Sequence, residues 1–159
     1  MRLSELSFRP KYEKINVYGE FHIEMERITK PELEEIMRKN TITKGNEVEQ
    51  RVKQLRIKVG GRDTVIKISG IAVDLAKKVK GWEGLTGEVL KNIMPDLDFG
   101  DIKDDEEIEY NPDDVILLLA FGVVPREDGQ VIPFDAFLLN KANTLAEKLE
   151  EEVIDFEKK

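Results

Sequence analysis

The side chains that most often carry catalysis are scarce in this chain of 159 residues. There is no cysteine, the one histidine is His22, and the serines are Ser4, Ser7 and Ser69. A Ser-His-Asp triad, a thiolate nucleophile or a cysteine-ligated metal cluster therefore has almost no residues from which to be built. The sequence also lacks the G-x-S-x-G, P-loop, dinucleotide-binding and H-E-x-x-H motifs. We expect a protein that is not an enzyme and that binds no metal or cofactor.

Carboxylates are the one reactive group that the chain holds in excess. Ten Asp and Glu residues lie between residues 96 and 114, where Lys103 is the only basic residue. A calcium loop of the EF-hand type is disfavoured because Asp101 occupies the sixth position, where the sharp turn requires glycine. Three interpretations remain open: a solvated loop, a loop that docks on a basic surface of this chain or of a partner, and a hydrolytic metal site. The carboxylates that could hold such a metal include Asp104, Glu107 and Asp113.

Charge divides the chain into two unlike halves. Residues 1–80 carry 18 Lys and Arg against 12 Asp and Glu, whereas residues 81–159 carry 7 against 21, which together make the formal net charge of −8. A basic stretch spans residues 51–67 and contains Arg51, Lys53, Arg56, Lys58, Arg62 and Lys67. No aromatic side chain lies among them to stack on bases, so nucleic acid is disfavoured as a partner. We expect a solvated strand face or a counter-surface for the acidic loop.

The first part of the chain has the patterns of a β-rich region. Apolar residues alternate with polar ones over residues 14–28, which predicts one half-buried strand. Thr29 and Glu32 have the spacing of a reciprocal capping box and predict that a helix follows. Alternation on both sides of a glycine turn predicts a hairpin over residues 55–68. Residues 41–54 fit a strand or a helix.

The second part of the chain has mostly helical patterns. From Ser69 the apolar period changes, and we expect a helix that ends at the Gly81-Trp82 corner. Trp82 itself is interpreted as a core anchor or an interface residue. Caps at Thr86 and Asn111 predict two further helices, and Pro133 opens the longest one, whose apolar stripe faces the core or docks on another chain. That stripe comprises Phe134, Phe137, Leu138, Ala142, Leu145, Leu149, Val153 and Phe156.

These patterns together predict an α+β protein. We place a β-rich N-terminal subdomain at residues 1–68 and a helical C-terminal subdomain at residues 69–159, which contains the acidic loop 96–110 and ends in a long helix. No apolar run approaches the ~18 residues that a membrane helix needs. No membrane association is therefore expected, and the cytoplasm is the expected location. The oligomeric state stays open.

The corner at Trp82 and the segments after it resemble a known family. The run Val79-x-Gly81-Trp82-x-Gly84-Leu85-Thr86-Gly87-Glu88-Val89-Leu90 is followed by the acidic insert, by Glu107-Ile108-x-Tyr110-Asn111-x-Asp113-Asp114-Val115-x-x-Leu118-Leu119, and by a helix with Phe134, Phe137 and Ala142-Asn143. This order resembles the small tail assembly chaperone-like proteins of long-tailed bacteriophages and prophages. The amino-terminal strand followed by Thr29-x-x-Glu32-Leu33 also resembles the start of such proteins.

The resemblance implies a non-enzymatic protein that binds the tape-measure protein or other tail components in a bacterial host during tail assembly. A tape-measure chain exposes apolar stripes before the tail tube closes around it, and an acidic helical partner could cover them. On this hypothesis the partner-binding residues are Trp82, Leu138, Leu145, Leu149, Val153 and Phe156. The alternative is a cellular adaptor module that binds other proteins through its acidic loop.

Overall fold

The computed structural model describes residues 2–3 and 11–157, and this part of the chain is an α+β fold. Its strands are β1 (Tyr12–Tyr18), β2 (Phe21–Glu26), β3 (Thr41–Lys44), β4 (Glu47–Gln50), β5 (Val52–Val59), β6 (Arg62–Ser69), β7 (Val79–Glu83), β8 (Val123–Pro125) and β9 (Val131–Pro133). Its helices are α1 (Lys30–Lys39), α2 (Gly70–Ala76), α3 (Gly87–Ile93), α4 (Pro112–Phe121) and α5 (Phe134–Glu157). The predicted fold class is confirmed.

The alternating segment at residues 14–28 forms a hairpin instead of the single strand that we predicted. β1 and β2 pair antiparallel around a turn at Gly19 and Glu20, where Gly19 has a φ of +56°. The register shifts by one residue between Asn16 and Tyr18. This bulge keeps odd-numbered residues on the buried face of both strands. The apolar alternation therefore continues through the turn, which is why the sequence resembles one strand.

β7 is the third strand of this sheet, and it corrects the predicted helix from Ser69 to Trp82. The helix α2 ends at Ala76, and the chain then pairs antiparallel with β2, which places Trp82 opposite Ile23. Val79 fits the helical spacing, but it is buried opposite Met25 in the sheet. Valine and tryptophan favour strands, and the free edge of β2 supplies their partner. The later part of the chain is also not wholly helical, since β8 and β9 form a hairpin.

Two further hairpins, β3–β4 and β5–β6, form separate two-stranded sheets. The first turns at Gly45 and resolves the ambiguous segment 41–54 in favour of strands. The second turns at Gly60-Gly61, as predicted, and joins eight cross-strand residue pairs. One face of this second ribbon packs toward the core through Ile66 and Ile68, while the other face is exposed.

The helices begin at the predicted caps. Thr29 Oγ1 accepts a hydrogen bond from the backbone amide of Glu32 at 3.2 Å, and Glu32 Oε1 accepts one from the Thr29 amide, which completes the capping box of α1. The side-chain oxygens of Thr86 and Asn111 cap α3 and α4. Buried side chains of β2, α2, α4 and α5 belong to one hydrophobic cluster, so the sheet and the helices share a core.

Candidate interaction site

Trp82 lies at a corner where β7 meets the end of the acidic loop. Its indole Nε1 donates a 2.9 Å hydrogen bond to the carbonyl oxygen of Ile108. Its ring meets those of Phe21 and Tyr110 edge to face, with centroid distances of 6.0 and 5.1 Å, an arrangement that aromatic pairs favour. The Tyr110 hydroxyl donates to the carbonyl oxygen of Val79 at 3.0 Å, and burial raises the pKa of this phenol. The polar groups of both rings are thus bonded within the chain.

Two glycines at the same corner allow backbone segments to approach each other closely. Gly84 has a φ of +76°, and a Cβ at this position would lie 2.1 Å from the carbonyl oxygen of Glu20 in the β1–β2 turn. A Cβ at Gly87 would lie 2.1 Å from the carbonyl oxygen of Lys103 in the acidic loop. Since backbone atoms cannot move aside as a flexible side chain can, both positions require glycine. Gly84 is therefore required by its contact with the β1–β2 turn, and Gly87 by its contact with the acidic loop.

The acidic loop lies along the start of α3 and is held there by its backbone. The amides of Gly87 and Glu88 donate to the carbonyl oxygens of Glu106 and Asp104 at 2.9 and 3.0 Å. A helix leaves such amides without partners at its N-terminus, and here the loop satisfies them. Lys91 adds an ion pair with Asp104 at 2.7 Å, which contributes little because both side chains are largely exposed.

The basic stretch at residues 51–67 is not the surface on which the acidic loop lies. Within the part of the chain that the structure describes, no ion pair joins the two segments. The loop instead contacts α3 and the Trp82 corner. Its carboxylates, apart from that of Asp104, face solvent or the loop's own backbone. The acidic loop therefore does not dock on the basic stretch of its own chain. Docking of the loop on a basic surface of another molecule stays a prediction.

The carboxylates named as possible metal ligands do not converge. Across residues 2–3 and 11–157 the structure places no three His, Asp or Glu side chains where they could hold one metal ion, and this applies to Asp104, Glu107 and Asp113. The ring of His22 is half-buried on β2, with Nδ1 3.0 Å from the carbonyl oxygen of Glu20. It lines an open groove of about 1100 Å³ whose wall includes six carboxylates, those of Glu20, Glu83, Glu88, Asp104, Asp105 and Glu107. Ser4 and Ser7 lie outside the described residues.

The predicted contact residues on α5 separate along the helix. Leu138 is fully buried and Leu145 is only 8% exposed, and both belong to the hydrophobic core. Leu149 is half-buried. Val153 and Phe156 lie beyond the side chains that the structure describes. The stripe therefore serves the core as far as Leu145, and a partner contact from Leu149 onward stays a prediction.

A second apolar surface lies on α4, and it was not predicted from the sequence. One side of this helix is buried through Val115, Leu118 and Leu119. The other side is half-buried, and we call its four apolar residues the α4 outer face: Ile116, Leu117, Ala120 and Phe121. The signal was present in the sequence, because residues 115–124 contain no polar side chain and exceed what one core-facing stripe needs.

Comparisons with protein-family models, with curated proteins and with solved structures find no match for this chain. Within the described residues, no helix is both long and apolar enough to cross a membrane. The basis for a functional proposal is therefore the Trp82 corner, the surfaces around it and the family resemblance.

Proposed function

We propose that this chain is a non-enzymatic tail assembly protein of a long-tailed bacteriophage or prophage. It binds the tape-measure protein, or another tail component, in the host cytoplasm while the tail forms. The Trp82 corner carries the proposal, because the residues that build this corner are among those that resemble the family. The scarcity of nucleophilic side chains, with no cysteine and one histidine, favours binding over catalysis.

The corner residues support the resemblance because they depend on one another. Trp82 connects β7 to the acidic loop, Tyr110 fastens the end of that loop to β7, and Thr86 caps the helix between them. Gly84 and Gly87 permit the close backbone contacts on either side. A likeness at residues tied by mutual contacts points to a shared local structure more strongly than a likeness at separate core positions, where many apolar residues are interchangeable.

The α4 outer face is the surface best suited to a tape-measure helix. Its four apolar side chains are spaced as a stripe along one side of a ten-residue helix. A helix that is apolar all round is normally buried on every side. This side is only partly buried, although Ile116, Leu117 and Phe121 already pack against the core, and the area that it leaves open can take a further neighbour. Burial of apolar area stabilises a complex by about 25 cal/mol per Å² before the costs of association. The net charge of −8 would help to keep such a complex dispersed.

The end of α5 is a second proposed contact surface. Leu149 is half-buried there, and its neighbour Lys148 pairs with Glu13 of β1 at 3.4 Å. Val153 and Phe156 continue this stripe in the sequence and stay predicted contact residues. Leu138 and Leu145, which are buried, would support the surface from below rather than touch a partner.

The test is co-expression with a tape-measure protein from the same genome, followed by affinity capture and size-exclusion chromatography with light scattering. The diagnostic variant is Leu117→Ser/Phe121→Ser. The matched control is Val48→Ser/Val131→Ser, which removes two apolar side chains that are 67% and 56% exposed on β4 and β9. Circular dichroism and thermal melting first establish that both variants are folded.

A soluble complex that the α4 variant loses and the control keeps is the expected result. Failure of the wild-type chain to form any complex with the tape-measure protein would overturn the proposed function. A complex that both variants keep would move the contact away from the α4 outer face, and Leu149→Ser would then test α5.

The alternative function, a cellular adaptor that binds through the acidic loop, is favoured by the way the loop is held. Backbone bonds to α3 and the Trp82–Ile108 hydrogen bond fix it, while its carboxylates are exposed. Such a preformed acidic surface loses little conformational freedom on binding a basic partner. Under this alternative, Asp105→Lys would abolish partner binding and the α4 variant would not.

A further inference from the structure

The outer face of the β5–β6 ribbon is a basic surface that nothing in the described chain covers. Cross-strand pairing places Arg56 opposite Val65 and Lys67 opposite Gln54, with Lys58 next along the same face. These residues and Val52 are exposed, whereas their neighbours one position along each strand face inward. We call Val52, Arg56, Lys58, Val65 and Lys67 the basic ribbon face. It combines three cations with two exposed valines, and one acid, Asp63, lies opposite Lys58.

The cations of this face have no ion-pair partners. Among the described residues, Arg56, Lys58 and Lys67 form no salt bridge. The acidic loop has the converse arrangement, since Asp104 is its one carboxylate paired with a cation in the described part of the chain. One copy of the chain thus presents two surfaces of opposite charge and leaves both unmatched.

We propose that the basic ribbon face binds the acidic loop of a second copy of this chain. The surface and its occupant have complementary charge. Val65, opposite Arg56, adds apolar contact area within the basic face, and Val52 adds more at its end, opposite Ser69. The loop cannot readily swing over to the ribbon of its own chain, because it is fastened to α3 and to Trp82. Since this fastening also orders the loop before binding, docking costs little conformational entropy.

The contact joins two different surfaces of the chain. Two copies can make it reciprocally and close as a dimer; otherwise each copy that has docked its loop still offers its own ribbon, and association continues head to tail into rings or open chains. This inference does not rest on the proposed function, since it concerns only contacts between copies of this chain. The α4 outer face is not part of it.

The wild-type chain tests the proposal through the salt dependence of its mass. At a net charge of −8, copies repel one another on average, and this repulsion is strongest at low salt. Docking between surfaces of opposite charge predicts the opposite trend, with association strongest at low salt. We expect sedimentation velocity and light scattering to show oligomers in about 20 mM salt that dissociate to monomers in about 0.5 M salt, where the Debye length falls to a few ångströms. A monomer at every salt and protein concentration would overturn the proposal.

Charge reversal then identifies the two surfaces. The ribbon variant is Arg56→Glu/Lys58→Glu/Lys67→Glu, and the loop variant is Asp101→Lys/Asp105→Lys/Glu109→Lys. Each variant alone should be monomeric, because the ribbon variant opposes two acidic surfaces and the loop variant reduces the net charge of loop 96–110 from −7 to −1. Mixed together, they should form a dimer of twice the 18.3 kDa chain mass and no larger species, since the intact loop of the ribbon variant and the intact basic face of the loop variant are the one complementary pair.

The control for net charge is Lys11→Glu/Lys44→Glu/Lys80→Glu, which makes the same change in charge at exposed lysines outside the ribbon. It should still associate at low salt. A control that dissociates as fully as the ribbon variant, or a mixture that stays monomeric, would refute the assignment of these surfaces. The substituted side chains are exposed, and circular dichroism checks that every variant is folded.

Discussion

The rings of Trp82 and Tyr110 meet at 85° with their centroids 5.1 Å apart, and each residue also donates a hydrogen bond to the backbone beside the other. Trp82 bonds to the carbonyl oxygen of Ile108, two residues before Tyr110, and Tyr110 bonds to that of Val79, three residues before Trp82. The two bonds cross between β7 and the end of the acidic loop. This reciprocal pair holds the end of the acidic loop against β7, just before α4 begins.

Loss of either hydrogen bond should loosen this junction. We expect Tyr110→Phe to lower the free energy of unfolding by about 1 kcal/mol and Trp82→Phe by about 2 kcal/mol, because the second change also removes ring contacts. Urea denaturation followed by circular dichroism measures both. Faster hydrogen exchange at the Ile108 amide, which donates to Leu85 at 2.8 Å, should accompany the loss. Tyr12→Phe, at a ring that is 46% exposed, is the control and should change stability by less than about 0.5 kcal/mol. Equal effects at Tyr12 and Tyr110 would contradict the role given to the junction.

A comparison of substitutions at Gly84 and Gly129 separates the cost of a left-handed backbone from the cost of a steric clash. Both have positive φ angles, +76° and +85°, but a Cβ at Gly84 would strike the Glu20 carbonyl, whereas a Cβ at Gly129 meets nothing within 4 Å. We expect Gly129→Ala to cost about 1–2 kcal/mol from the left-handed conformation alone. Gly84→Ala should cost at least about 2 kcal/mol more, or prevent folding, since the β1–β2 turn must move. Similar urea midpoints for the two variants would show that this turn yields easily.

Asp74 and Asp114 should respond to pH in opposite senses. Asp74 is 5% exposed and accepts a 2.8 Å hydrogen bond from Asn40 Nδ2. Burial acts to raise its pKa, but the hydrogen bonds from Asn40 and Lys39 outweigh burial and lower the pKa. Burial, followed by the charge of Asp113, raises the pKa of Asp114. A lowered folded-state pKa stabilises the fold above the unfolded-state pKa of about 3.9, and that contribution is lost as pH falls through the folded-state pKa.

The expected result follows from these signs. Asp74→Asn should lower the free energy of unfolding by about 1.5–3 kcal/mol at pH 7, the range for hydrogen bonds to a charged group, and its difference from wild type should shrink toward pH 3. Asp114→Asn should cause no loss at pH 7, because ionisation of Asp114 costs stability there. Urea denaturation between pH 7 and pH 3 measures both. A pH-independent loss in Asp74→Asn would show that shape, and not charge, accounts for the effect.

Local patterns predicted several elements and their ends. The capping box at Thr29 and Glu32, the caps at Thr86 and Asn111, and the glycine turn of the β5–β6 hairpin all lie where the sequence indicated. These signals act between residues at most a few positions apart. They are therefore complete before the chain makes any distant contact.

The interaction surfaces were harder to predict, because exposure depends on what the rest of the chain covers. Leu138 and Leu145 lie on an apolar stripe that suits a partner or a core equally, and only the packing of α5 shows that they belong to the core. The partly exposed outer side of α4 lies within an unbroken apolar run, and the helical period identifies only which side of that run faces the core.

By itself the sequence determined the fold class, the caps of α1, α3 and α4, the turn of the β5–β6 hairpin and the separation of charge between the two halves, since each depends on residue type and short-range spacing. Only the tertiary structure decided that Val79–Glu83 is a strand, because the free edge of β2 selects between two periods that Val79 satisfies. It also decided that the acidic loop lies on α3 and not on the basic ribbon, because backbone amides left free at a helix N-terminus hold it in place. Those contacts join segments far apart along the chain, and no local pattern encodes which of the available surfaces will meet.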